Sequence, residues 1–591
     1  MLGNRLVIGL DYGTTYTGVS FCETSNTASI ENQISVVQDW PSSHTMIGTK
    51  EKVPSEIAYP PTGIRWGSLI PPHMQRHMWT KLELDSPQKG EAAKIRQELS
   101  SAGVDAGSGK HPVDVVADFL AEVKVHLIKN LNNQYGEGLW RTLPITLVIT
   151  VPAVWSDAAK DRTLQAVRKA GFDVTEFPQL KRTITTTEPE AAAIYTIKAL
   201  RGSVKDEQLA VGDGFVVCDM GGGTVDLISY RVASIEPTIV EEATIGMGAQ
   251  CGGSFVDRGF LQWLENKVGV DDFVKVANCR AKDLSRTSLP AKLGKMVQEF
   301  SLTAKSGFTG SEEYYLRLPA PLSAIDDEDR GMCDGEIQVT ASDLEEMFAF
   351  PLGQTCELLV EQLQQARDSG NAKVKYVFMV GGFSESPYMY QKIKKLAAAH
   401  GIESIRPAYA WSAIVRGATA KGLEGDGRTP VKYRKCRRHY GTSCTQSFVS
   451  GKHRQNDSFD CPYTGEKRAD NQMNWLVTKG EDLATGESKH ASLEFYQNFW
   501  PRQNRKMKLR LLASDAAMRP GRSKDKRVYN VAELTIDLNS VPESEFAAMR
   551  SPSGTTFYRL NFQVEFAVQS ALEFWLSVKG VKYGSVTATY N

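Results

Sequence analysis

Two stretches of this chain repeat one design. Leu10-Asp11-Tyr12-Gly13-Thr14-Thr15-Tyr16 and Cys218-Asp219-Met220-Gly221-Gly222-Gly223-Thr224-Val225-Asp226 each end an apolar run in an acid, followed by glycine and threonine, and the two acids are 208 residues apart. Glycine weakens a strand and packs nothing, so three glycines after Phe215-Val216-Val217-Cys218-Asp219-Met220 have no use in a core. Bare backbone lets an anion approach its N–H groups, and threonine adds hydroxyl donors. One such motif reads equally well as an ordinary hairpin turn. Two of them point to a duplicated fold that holds a nucleotide phosphate between its halves. Asp11 and Asp219 would then steer Mg²⁺ through water, the arrangement that a reluctantly dehydrating ion prefers.

A third glycine turn follows another buried run, Phe378-Met379-Val380-Gly381-Gly382-Phe383-Ser384-Glu385-Ser386-Pro387. Ser386 is placed to cap a helix over about 387–399, with Pro387 in its first turn. The glycine pair would let a flat ring lie against backbone, which makes Gly381, Gly382 and Phe383 the candidate adenosine side.

At 591 residues the chain has room for roughly three or four domains. From Leu6 to about Gly422, β-branched runs alternate with helical patterns, the mark of an α/β fold. Residues 145–151 form a nearly continuous apolar run, expected as a strand covered on both faces, and 156–170 an amphipathic helix. Val116, Phe119, Leu120, Val123, Leu127 and Leu131 recur every three to four residues, predicting a helix over about 114–132 with one buried face.

Lys or Arg then fills six of the eleven positions from Arg428 to Arg438. This basic stretch reads as a linker over 426–445, with a nuclear-localisation signal as the sharper alternative. Beyond it the period becomes two: Leu534, Ile536 and Leu538, then Phe562, Val564, Phe566 and Val568, then Leu572, Phe574, Leu576 and Val578. These are expected as half-buried antiparallel strands of a β-sandwich over 446–591, with long polar loops at 450–472 and 514–527. Phe495, Tyr496, Phe499 and Trp500 read as core of that sandwich or as a peptide-binding patch.

Lys plus Arg equals Asp plus Glu at 69 each, so no global field draws nucleic acid or an anionic membrane. No run of about eighteen apolar residues occurs. The nine cysteines contain no Cys-x-x-Cys pair, which suits a reducing compartment. A cytoplasmic, monomeric protein, with no nucleic-acid or membrane partner, is the expectation.

The three turns, in this order, resemble the phosphate-1, phosphate-2 and adenosine motifs of the actin-like (ribonuclease-H-like) ATPase superfamily. Among its members the chain is most similar to the seventy-kilodalton heat-shock (DnaK-type) chaperones. Val53-Pro54-Ser55, Thr150-Val151-Pro152-Ala153, Thr187-Glu188-Pro189-Glu190 and Gly252-Gly253 leading to Asp257 extend the match over residues 5 to 422. The adenosine turn looks most like the divergent branch typified by heat-shock seventy-kilodalton protein twelve.

This resemblance implies a two-lobed domain, lobe I over 1–200 with an insertion at about 40–110 and lobe II over 201–425, binding ATP or ADP with Mg²⁺. By resemblance, Asp11, Glu188 and Asp219 would place the metal and its waters, and Glu188 or Asp226 would orient the attacking water. Gly13, Thr14, Thr15, Tyr16 and Gly221 to Thr224 (Gly221, Gly222, Gly223, Thr224) would bind phosphate, with Gly252 and Gly253 beside them. Lys81 would stabilise the transferred phosphoryl group, with Arg76 as the alternative cation. Phe383 and Glu385 depart from the family, Glu385 standing where a ring-stacking Arg is usual. The acidic leucine-rich linker, the helical lid and the acidic C-terminal tetrapeptide of the chaperones are not found in the sequence. The resulting expectation is a slow ATPase whose β-domain binds client proteins, with co-chaperones unassigned. The alternative is a nucleotide-gated scaffold that binds ATP without significant hydrolysis.

Overall fold

The computed structural model describes residues 4–24, 34–42, 50–85, 90–101, 110–200, 209–235, 238–424, 431–484, 491–568, 572–583 and 587–590. It is a mixed α/β structure in two compact units, Met1–Trp155 with Arg162–Pro430, and Ser156–Asp161 with Val431–Asn591.

The first unit contains two large sheets, besides a three-stranded sheet over 314–339 and a two-stranded pair, Ile57–Ala58 with Arg65–Trp66. In one, β1 (Leu6–Tyr12) and β2 (Tyr16–Glu23) form an antiparallel hairpin, β3 (Ser35–Val36) pairs with β2, and α1 (Pro112–Tyr135) leads to β4 (Ile145–Val151), which runs parallel to β1. β5 (Leu180–Thr187) runs parallel to β4 and feeds α2 (Glu188–Leu200), so the order is β3-β2-β1-β4-β5. The other sheet repeats that order. Its strands are β6 (Asp213–Met220), β7 (Val225–Ser234) and β8 (Ile239–Glu242), followed after α3 (Ser254–Val268) and α4 (Ala341–Ser369) by β9 (Lys373–Val380). α5 (Pro387–Ala399), β10 (Glu403–Ile405) and α6 (Ala413–Leu423) complete the unit. β6 and β7 are an antiparallel hairpin, β9 is parallel to β6 and β10 to β9, giving β8-β7-β6-β9-β10.

The local expectations for this unit hold. β1, β4 and β6 are buried along their whole length, as continuous apolar runs require. Val116, Phe119, Leu120, Val123, Leu127 and Leu131 all lie on the buried face of α1. Ser386 accepts the Met389 N–H at 3.4 Å, with Pro387 in the first turn of α5. How closely α6 packs is decided by two glycines. A Cβ on Gly417 would stand 1.8 Å from the Ala191 carbonyl oxygen, and one on Gly9 2.6 Å from Thr419 Oγ1. Backbone-to-backbone contact thus seats α6 against both α2 and β1.

The second unit is built from antiparallel strands. β11 (His439–Ser447), β12 (Ser458–Asp460), β13 (Lys467–Val477), β14 (Ala491–Phe499), β15 (Lys506–Ser514) and β16 (Tyr529–Asp537) come first. β17 (Ala547–Arg550), β18 (Thr556–Val568), β19 (Leu572–Val578), β20 (Val581–Tyr583) and β21 (Thr587–Tyr590) follow. They form two sheets, β12-β13-β11-β15-β16-β21 and β14-β18-β19-β20 with β17 on β18. Leu534, Ile536 and Leu538 share one core with Phe499, Phe562, Val564 and Leu576 across the two sheets.

Two sequence expectations differ from this structure. The basic stretch read as a linker contains strand Val431–Lys435 and the start of β11, because its charged residues alternate with buried Val431, Cys436 and Tyr440. The polar run 450–472 holds β12 and the first half of β13, whose pairing needs only backbone groups and tolerates the exposed Lys467 and the half-buried Arg468. The aromatic group divides: Phe499 is buried, Phe495 packs partly buried on the same core, Tyr496 is exposed beside the Arg559 guanidinium, and Trp500 stacks on Tyr463 at 4.5 Å.

Candidate functional site

The structure brings the two acid-plus-glycine hairpins face to face. A Cβ on Gly222 would come within 2.3 Å of Thr15 Oγ1, and one on Gly223 within 2.9 Å of Thr14 Cγ2 and 3.2 Å of the Trp79 ring. The second turn is closed by Gly221 N–H on the Thr224 carbonyl at 2.9 Å. The start of α3 docks onto it: Gly252, Gly253 and Ser254 donate to the carbonyls of Gly223, Gly221 and Gly222 at 3.2, 3.1 and 2.8 Å. Gly13 sits at the tip of the first turn, where a Cβ would meet the Tyr16 carbonyl at 2.1 Å.

The acids gather behind these turns. Asp11, at the end of β1, is buried and accepts from Lys52 Nζ at 2.7 Å and Thr150 Oγ1 at 2.8 Å. Lys81, buried on the short helix Thr80–Glu83, donates to Glu188 Oε1 at the start of α2. Asp219 and Asp226 are directly opposed across the β6–β7 hairpin. Arg76 lies elsewhere, committed to Glu56 at 2.8 Å and to the carbonyls of Pro71 and Pro72. Of the two cations the sequence offered, Lys81 is the one among the acids.

Burial opposes every charge here, and the neighbours decide the outcome. For Asp11, burial is outweighed by Lys52 and Lys81, which hold its carboxyl below the ordinary range. Glu188 is pushed up to about 7, first by burial and then by Asp11 and Asp226, against the pull of Lys81. Asp219 is pushed well up by burial, Glu188 and Asp226. Asp226 is raised by burial despite Thr224 and Lys81. Lys81 is raised in spite of burial, because Glu188, Asp11 and Asp219 favour its charge. Four carboxyls thus face two ammonium groups, and three of the four are raised, first of all by burial. That donor set fits a bound cation reached through water. Among the described residues no three His, Cys, Asp or Glu side chains form a direct metal cage.

The third turn abuts the same place. Gly381 has a φ of +84°, and a Cβ there would stand 2.4 Å from Asp219 Oδ1. Gly382 lies under Trp411, whose ring stands edge-on to Tyr16 with centroids 5.7 Å apart. Phe383 turns the other way, buried in the core of its lobe and stacked on Phe348 at 6.0 Å. Glu385 accepts the Trp411 backbone N–H at 3.3 Å. Sequence reading missed Lys52 and Trp411 and quoted Thr150 without giving it a role. Lys52 borders the quoted Val53-Pro54-Ser55, but its convergence with Thr150 on Asp11 depends on strand pairing, β4 beside β1 and Val53–Pro54 beside β2.

A mixed α/β unit with two sheets of one strand order and glycine hairpins facing each other is consistent with an actin-like ATPase fold. A family model described as Hsp70 protein matches residues 80–429. The chain belongs to the Hsp70 family. It is 24% identical to human heat shock 70 kDa protein 12A over 533 residues, covering 76% of this chain and 73% of that protein. The mouse protein 12A is 23% identical over 531 residues, with the same two coverages of 76% and 73%. Human heat shock 70 kDa protein 12B is 22% identical over 517 residues, 76% of this chain and 72% of its own length.

Proposed function

We propose that this chain binds ATP between the two facing hairpins, hydrolyses it slowly, and works as a chaperone-like protein whose C-terminal unit, a β-sandwich of the substrate-binding kind, takes client proteins. The observation that carries this reading is the contact of Thr14 and Thr15 with Gly222 and Gly223, directly in front of Asp11, Glu188, Asp219 and Asp226. Backbone N–H groups and hydroxyls on both sides suit phosphate oxygens. Asp11, Glu188 and Asp219 would hold Mg²⁺ through water, and the ion would supply charge neutralisation on the phosphates.

The protein's own groups supply the rest. Lys81, fixed by Glu188, is placed to meet charge developing on the transferred phosphoryl group. Glu188, held near neutrality, is suited to take the proton of an attacking water, with Asp226 behind it. Slowness follows from the Lys81–Glu188 pair, since each must loosen its hold on the other to act. The scaffold reading, binding without useful turnover, is favoured by the third turn: Phe383 is turned into the core and the Glu385 carboxylate is held by the Trp411 N–H, so neither side chain is placed to stack on a base.

Calorimetry with ATP and Mg²⁺, followed by single-turnover hydrolysis for wild type, Asp11→Ala, Lys81→Ala and Glu188→Ala, tests both. Hydrolysis that falls at least about tenfold in Lys81→Ala, some 1.4 kcal/mol of barrier, is the expected result. Binding with no turnover in any protein gives the scaffold reading, and absence of binding removes both.

A further inference from the structure

We infer that Trp79 is a phosphate-binding residue of the nucleotide site, its indole N–H donating to a phosphate oxygen seated against the second glycine turn. The inference rests on the ATP-binding reading above and adds to it a donor that neither glycine turn supplies.

Trp79 immediately precedes the short helix that carries Lys81, and its φ of +57° lies in the left-handed region, which a bulky side chain enters only under strain. That turn of the backbone brings three consecutive residues to the site. Trp79 meets the second glycine turn, Thr80 is hydrogen-bonded to the Tyr12 hydroxyl at 2.6 Å, and Lys81 donates to Glu188. The Trp79 ring is 3% exposed and shares a small core with Ala92, Ile95 and Leu99, the Phe255 ring standing 6.3 Å away. Any apolar ring would serve that packing.

Packing does not account for the nitrogen. Nε1 is buried, and among the described residues no group accepts its hydrogen. Folded proteins rarely leave a buried donor unmade, because its lost hydration is then not replaced. The part of the indole next to this nitrogen is the part that meets the second turn. A Cβ on Gly223 would lie 3.2 Å from Trp79 Cζ2, 3.3 Å from Cε2, the carbon that bears Nε1, and 2.9 Å from Thr14 Cγ2. The donor without an acceptor therefore stands where the two hairpins meet, beside the groups proposed to take phosphate. Nε1 is closed to water, so an oxygen reaches it only as the turn yields, which the bare backbone of Gly221, Gly222 and Gly223 permits. An indole is an uncharged donor, so it adds a hold on phosphate and leaves the carboxyls of Asp11, Glu188 and Asp219 to their cation.

The test compares wild type with Trp79→Phe, which keeps an aromatic ring and removes the donor, by calorimetry with ADP and with a non-hydrolysable ATP analogue, each with excess Mg²⁺. Both affinities are expected to fall about tenfold or more, the loss of one hydrogen bond to an ionised acceptor. Unchanged affinities overturn the role of Trp79 while ATP binding stands. No binding by wild type removes the ATP-binding reading and this inference together. A second measurement needs no variant: nuclear magnetic resonance of the indole N–H groups in wild type labelled at tryptophan. Trp40, Trp79 and Trp263 are the described tryptophans whose buried Nε1 has no acceptor, and of these Trp79 alone meets a glycine turn. One signal of that unbonded group is expected to move downfield on addition of ADP and Mg²⁺, as a donor gaining an acceptor does. If none of them moves while ADP binds, the inference is overturned, even where Trp79→Phe fails to fold.

Discussion

Asp219 and Asp226 stand directly opposite each other across one antiparallel hairpin, so a buried and a half-buried carboxyl share one face of a sheet. Like charges so placed repel, and burial removes the water that would screen them. Burial is the first cause that raises both carboxyls, and Glu188 adds to it at Asp219. Glu188 belongs to the same group and carries the same signature.

The first prediction concerns pH. Glu188 has a folded value of about 7 against an ordinary 4.5, so the folded state binds more protons than the unfolded chain between these values. Stability of the nucleotide-free protein therefore falls as pH rises through that window and levels off above it. Glu188→Gln is expected to remove on the order of 2 kcal/mol of this pH-dependent loss. Urea unfolding at pH 5 and pH 7.5 measures it, and equal pH slopes for the two proteins would refute the assignment.

Two glycines in helices should respond in opposite ways to the same change. At Gly417 an added Cβ meets the Ala191 backbone at 1.8 Å, so Gly417→Ala must push α6 from α2 and is expected to cost about 3 kcal/mol or more. At Gly353, inside α4, a Cβ meets nothing within 4 Å, and Gly353→Ala should stabilise by up to about 1 kcal/mol. Thermal melts of the full chain separate the two.

In the second unit, Arg522 binds buried Asp457 through two nitrogens, Nε to Oδ2 at 2.8 Å and the terminal nitrogen to Oδ1 at 2.9 Å, and Asn471 adds a bond at 3.1 Å. Burial raises the Asp457 carboxyl, but Arg522 and Asn471 outweigh it and hold it below its ordinary range. The pair's contribution is thus present above the ordinary carboxylate range and lost on acidification through the lowered one. Arg522→Ala should cost about 2 kcal/mol by leaving the buried carboxylate with the Asn471 bond and no guanidinium. Removing both charges with Asp457→Asn and Arg522→Leu should recover part of that, as read by chemical unfolding.

Trp411 supplies an optical readout of the proposed site. It covers Gly382, touches Tyr16 edge-on and is partly exposed. Nucleotide binding is expected to change tryptophan emission, and Trp411→Phe to abolish most of that change while the other nine tryptophans remain. An unaltered signal in Trp411→Phe would place the base elsewhere.

Much of the architecture was legible along the chain because the determining patterns are local. Continuous apolar runs gave β4 and β6, a repeat of three to four residues gave α1, and Ser386-Pro387 gave the start of α5. Glycine beside acid and hydroxyl marked both hairpins, since close approach of backbone to an anion is a property of a few consecutive residues. The misread stretches, within 426–445 and 450–472, hold strand Val431–Lys435, the start of β11, β12 and the first half of β13, whose polar side chains hide a pairing made by backbone alone.

The sequence by itself therefore determined most of the elements of the first unit and the two hairpins, and the family resemblance pointed to the acids and to Lys81. Only the tertiary structure decided that the hairpins touch, that Lys52 rather than Arg76 joins Lys81 among the carboxyls, and that Phe383 faces inward while Trp411 covers Gly382. The physical reason is that a charge acts through space and not along the chain. Asp11 and Lys52 are 41 residues apart in sequence and 2.7 Å apart in the fold, and nothing in the intervening residues encodes that distance.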